Sequence, residues 1–160
     1  MAHDGQAYML DTNVFNTVVD NNISLAAFAR CRLLVIGVQM AELAATKRAP
    51  RREALLAIAV EINPTTLLAS SFAFGIEGAG FDQAYWNDGS GTFQKMLDRL
   101  RQLDAEKKKK SRDKLNPDRD ILIAETAIKN HAILVSNDDN LRQVVSEFAG
   151  KAITLTRLME

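Results

Sequence analysis

The sequence predicts an α/β fold, a parallel central sheet flanked by helices. Short apolar runs suited to buried strands fall at residues 7–10, 33–36, 132–135 and 152–155, and stretches with helical spacing separate them. The chain has 160 residues, 47% of them hydrophobic, enough to bury one sizeable core. With no internal repeat, a single domain over 1–160 is expected.

The first strand, 7–10, leads directly into Asp11 and Thr12, either of which can cap a helix over 14–19. Residues 23–30 read as another helix, and 33–36, β-branched at its end, as a second buried strand. Gly37 reads as a break. Helical spacing resumes over 38–46, with Val38, Ala41 and Ala45 on one side, and a further helix over 51–62 follows Pro50. Residues 63–91 hold Gly75, Gly78, Gly80, Gly89 and Gly91, so a long loop or irregular segment is expected there. Within it, Tyr85 and Trp86 suit covering the core, with stacking on a base as the alternative. Phe93, Met96, Leu97, Leu100 and Leu103 recur at three- and four-residue spacing and predict a helix over 92–110. After Pro117 comes a helical stretch over 118–130. His131 marks the turn before the strand 132–135, a helix follows over 137–148, and the last strand is 152–155.

Composition narrows the function classes. Twenty basic residues balance twenty acidic ones, so net charge does not advertise a nucleic-acid partner, although a local basic patch can still supply one. The single cysteine, Cys31, excludes an intramolecular disulfide and a cysteine-based zinc site, and it fits a reducing compartment. The opening MAHDGQ has neither a basic nor an apolar leader region, and no run reaches the roughly 18 apolar residues of a membrane span. A cytoplasmic protein without membrane attachment is expected.

Four acidic residues stand in corresponding places. In an open parallel sheet, ligands gather outside the carboxyl ends of the strands. Asp11 lies just past the first strand and Asp138 just past the strand ending at Val135. Glu42 lies one turn into the helix after the second strand, and Asp120 opens the helix that starts at Pro117. Carboxylates a few ångströms apart repel and raise one another's pKa, and a divalent cation removes that cost. An all-oxygen donor set suits Mg²⁺ or Mn²⁺, which can hold a phosphodiester and lower the pKa of a water.

The strings LDTNV at 10–14, GVQMAEL at 37–43, DILIAETA at 120–127 and ILVSNDDNL at 133–141 resemble the signature segments of PIN-domain ribonucleases, especially the VapC-like toxins. That resemblance implies metal-binding carboxylates at Asp11, Glu42, Asp120 and Asp138, and Mg²⁺- or Mn²⁺-dependent cleavage of RNA by an activated water. It makes Thr12, Asn13, Ser136 and Asn137 candidates for orienting the carboxylates or the water. It further implies a protein antitoxin as partner and a homodimer.

Each signal also has a plainer reading. An aspartate after a strand is most often a helix cap, and Asp118 and Asp139, each beside a proposed ligand, are ambiguous for that reason. The basic run Lys107, Lys108, Lys109 and Lys110, extended by Arg112 and Lys114, reads as a solvated helix end or as a phosphate-contacting patch some ten residues before Asp120. A haloacid-dehalogenase-like phosphatase also places an aspartate after strand one, but it needs a second aspartate where this chain has Asn13. A non-catalytic α/β interaction module leaves Glu42, Asp120 and Asp138 unexplained.

Overall fold

The structure is a computed structural model and describes residues 5–86, 88–107 and 117–160. Among these, five parallel strands form one sheet: β1 (Ala7–Leu10), β2 (Arg32–Ile36), β3 (Thr65–Leu67), β4 (Ile133–Val135) and β5 (Lys151–Ile153), in the order β3-β2-β1-β4-β5. β1 is central. Tyr8 pairs with Leu33 on one side and with Ile133 on the other, so the two halves of the chain meet across four residues.

β1, β4 and Leu33–Ile36 of β2 are apolar because both faces of the sheet are covered there, whereas the edge strands β3 and β5 carry Thr65, Thr66 and Lys151. Ala7 and Met9 of β1, with Leu34 and Ile36 of β2, point into one core, which is closed by α4 (Thr92–Glu106), α5 (Pro117–Lys129) and α6 (Asp139–Glu147). Tyr8, Leu10, Leu33 and Val35 point the other way. There they meet α1 (Thr12–Asp20), α2 (Gly37–Ala44), α3 (Ala49–Ile62) and Leu155 of α7 (Leu155–Met159). None of the described helices is long and apolar enough to cross a membrane.

The structure departs from the sequence expectations at six places. Residues 23–30 form a 3₁₀ helix at Leu25–Arg30, started by Ser24 Oγ accepting from the Ala26 N–H, rather than an α-helix. Gly37 does not break the chain but is the first residue of α2, because Gln39 reaches back and accepts from the Ile36 N–H at 2.9 Å. The irregular 63–91 segment contains β3, an edge strand of three residues. Tyr85 and Trp86 do not cover the core: they are exposed, and the Trp86 ring lies stacked on Phe72 with centroids 4.9 Å apart. The last strand ends at Ile153, since Thr154 Oγ1 accepts from the Arg157 N–H and starts α7. α4 ends at Glu106 with Lys107 as its cap, and the expected continuation over 108–110 lies outside the described residues.

The irregular segment is fastened to the sheet edge by a backbone contact. Gly78, at φ +93°, packs against Gly37 so closely that a Cβ on it would lie 2.2 Å from the Gly37 carbonyl carbon. Only glycine fits both the conformation and the gap.

Candidate active site

The carboxyl ends of β1 and β4 frame the candidate site. The Asp11 N–H donates to the Val135 carbonyl at 3.0 Å, which extends the β1–β4 ladder by one residue. Asp11 is the N-cap of α1 by backbone position, with extended φ and ψ, yet its side chain makes no cap bond. Instead its Oδ2 accepts from Ser136 Oγ at 2.6 Å, and the residue is 3% exposed. Ser136 is itself fixed by its N–H donating to Ile153 O at 3.0 Å, and its Oγ accepts from the Asp138 N–H at 3.1 Å. One buried hydroxyl thus holds Asp11 and the backbone of Asp138 together.

Asp138 does behave as a helix cap. Its Oδ1 accepts from the N–H groups of Asn140 and Leu141 at 2.9 and 3.1 Å, at the start of α6. A carboxylate is favoured there by the helix dipole.

Glu42 lies on α2, half-buried, 3.8 Å from the Arg119 guanidinium in the first turn of α5. Asp120 follows in the same turn, so the ion pair brings the start of α5 against α2. Sequence reasoning missed Arg119, whose charge had no reason to stand out until the two helices met. It also missed Gln39, fully buried, which donates to the Leu10 carbonyl at 2.9 Å while capping Ile36. Gln39 therefore ties the last residue before Asp11 to the helix that carries Glu42.

The electrostatics follow the burial. Desolvation lifts the Asp11 carboxyl from an ordinary 3.8 to about 6; the hydrogen bonds from Ser136 and the Thr12 backbone pull it down, and the charges of Asp138 and Glu42 push it further up. Glu42 is also raised by burial, with the Thr12 hydroxyl and the Arg119 charge drawing it back. Thr12 Oγ1 is buried and closes no hydrogen bond of normal geometry. Glu42 and Asp138 thus both act on Asp11 as like charges.

A cavity of about 410 Å³ opens beside them, lined by Asn13, Lys107, Asn137, Asp138 and Asp139. Asn137 is held from both sides: its N–H donates to Asn13 Oδ1 at 3.5 Å, its Nδ2 to Thr17 Oγ1 at 3.3 Å, and its Oδ1 accepts from the Leu155 N–H at 3.2 Å. Lys107 is the one member of the basic run among the described residues, and it lines this cavity; Lys108, Lys109, Lys110, Arg112 and Lys114 lie outside them. Asp139 pairs with Arg142, and Asp118 stands 3.7 Å from Arg101.

The donor set is all oxygen, includes a buried hydroxyl that closes no hydrogen bond of normal geometry, and carries like charges that a hard cation would neutralise. Its chemistry fits Mg²⁺ or Mn²⁺. Among the described residues, however, no three carboxylate, imidazole or thiolate groups are arranged to hold a metal ion.

No protein-family model and no curated protein matches the chain. Among solved structures it is similar to VapBC-1 from nontypeable Haemophilus influenzae, at a TM-score of 0.51 and 16% identity over 94% of this chain and 99% of that one. It is also matched to VapBC2 from Rickettsia felis bound to a DNA fragment from their promoter, at a TM-score of 0.45 and 18% identity over 93% and 98%. The first match shows a shared fold, and the parallel sheet flanked by helices is PIN-like.

Proposed function

We propose that this chain with a PIN-like fold is a metal-dependent endoribonuclease that hydrolyses RNA phosphodiester bonds, and that it is the toxin of a toxin–antitoxin pair. The observation that carries the reading is the Asp11 carboxylate, buried at the carboxyl end of the central strand with Glu42 and Asp138 acting on it as like charges. Burying an acid beside two others is unfavourable for the fold alone. A cation site gives it a purpose.

In this reading Asp11, Glu42, Asp120 and Asp138 hold Mg²⁺ or Mn²⁺. When bound, the cation supplies a lowered pKa for a water and charge stabilisation for the phosphate oxygens. Ser136 keeps the Asp11 carboxylate in one orientation through its 2.6 Å bond. The Thr12 hydroxyl stands beside Glu42 and favours its charged form, and Asn13 and Asn137 line the cavity. Lys107, on the same wall, is suited to a backbone phosphate. A protein antitoxin and a homodimer belong to the same reading.

Cleavage of a mixed RNA pool by the purified protein tests it. Activity is expected with Mg²⁺ or Mn²⁺ and none in excess chelator. Asp11→Asn, Glu42→Gln, Asp120→Asn and Asp138→Asn should each nearly abolish cleavage while far-ultraviolet circular dichroism stays unchanged. Undiminished cleavage in chelator overturns the mechanism, and full activity in one variant removes that residue from the site.

A further inference from the structure

A second pocket lies at the other end of α4. It has a volume of about 280 Å³ and is lined by Ser71, Asp88, Glu125 and the turn that starts α4, from Gly89 to Gln94. Its floor is a buried acid. Glu125 is 1% exposed; its Oε1 accepts from Ser71 Oγ at 2.5 Å and lies 3.6 Å from Lys129 Nζ, while its Oε2 is buried with no hydrogen-bond partner. Both Ser71 and Asp88 line the pocket, and Lys129 bridges Asp88 to Glu125, so the carboxylate end of Glu125 is at the pocket floor. An acceptor oxygen removed from water calls for a donor.

The facing wall has the opposite need. The first N–H groups of a helix have no partner within it, and they carry the positive end of its dipole. At α4 the N-cap is Gly91, in the left-handed region, which has no side chain to cap with. Thr92 N–H is taken by Ser90 Oγ at 3.2 Å, and the rest of the first turn, Phe93 and Gln94, lines the pocket. A cation alone suits the floor, and an anion alone suits the wall.

We propose that this pocket binds a small zwitterion of the α-amino-acid class, its ammonium on Glu125 Oε2 and its carboxylate on the N-terminus of α4. Phe93 gives the remaining volume an apolar side for the ligand's own side chain.

Nuclear magnetic resonance of the labelled full chain tests this without RNA or metal. The probes are glycine, L-leucine and L-phenylalanine, with methylammonium chloride and sodium acetate as the two half-ligands. At least one amino acid should shift the amide resonances of Gly89, Gly91, Phe93 and Gln94 saturably, and each half-ligand should bind more weakly. Glu125→Gln, which keeps the shape and loses the charge, should weaken that amino acid by about tenfold or more. Gln94 is exposed and donates to Asp98; Gln94→Glu loses that bond and faces a like charge but gains from the helix dipole, so the melting temperature should stay close to the parent's while binding weakens. The proposal is overturned if no amino acid shifts these residues, if a half-ligand binds as well as the whole, or if both variants bind like the parent.

Discussion

At Asp11 the side chain that a helix cap would use is turned instead to a hydroxyl 125 positions away in sequence. The consequence is measurable as pH-dependent stability. An acid whose pKa is raised on folding stabilises the fold fully below its unfolded value, and that contribution is lost as pH rises through the folded value. For Asp11 the window runs from about pH 4 to about pH 6. A shift of that size corresponds to roughly 3 kcal/mol, an order-of-magnitude figure at 1.36 kcal/mol per unit. In chelator, thermal melts of the parent should fall across this window, and Asp11→Asn should fall less and be the more stable of the two at pH 7. Identical pH profiles would show that the buried carboxyl is not strained. The four acids were legible in the sequence by local pattern, Asp11 and Asp138 just past strands, Asp120 in the first turn of α5 and Glu42 one turn into α2. Gln39, Arg119 and the unpartnered Glu125 oxygen were not, because each acquires its meaning only from a segment distant in sequence that folding brings alongside it.

Most elements could be read from periodicity, and the ones that could not share a cause. β3 has three residues, two of them exposed, and lies at the sheet edge paired with β2, so no apolar run announces it. The 3₁₀ helix at Leu25–Arg30 buries only Phe28, too little to fix a helical period. The glycine-rich segment is held instead by point contacts, the Ser70 and Ser71 hydrogen bonds to α5 and the Gly37–Gly78 approach. Gly78→Ala should destabilise the protein by about 1–3 kcal/mol, since its Cβ meets backbone at a φ that alanine disfavours, and the loss should appear as a lower urea midpoint. A midpoint unchanged within error would mean that the segment shifts freely from α2. At the far end of α4, Lys107→Gln should reduce the salt dependence of RNA binding by a slope of about 0.7, the value for one phosphate contact on a single strand. An equal slope in variant and parent would leave Lys107 as a solvated cap.

Taken whole, the molecule has two cores on the faces of one sheet, joined through β1. A cation bound at the proposed site would stabilise all of it by mass action. Mg²⁺ or Mn²⁺ at 100 times its dissociation constant should add about 2.7 kcal/mol. A calorimetric titration in which neither ion moves the melting temperature would remove the shared cation site. The strand order has another consequence, one that concerns the growing chain. β1 is made more than a hundred residues before its neighbour on one side, β4, so folding must close a loop of that length. A nascent chain halted before Ile133 already contains Asp11, Glu42 and Asp120, yet has neither β4 nor the Ser136 hydroxyl. The site is therefore written early in translation and assembled late, and a ribosome that stalls in between releases its residues without their arrangement.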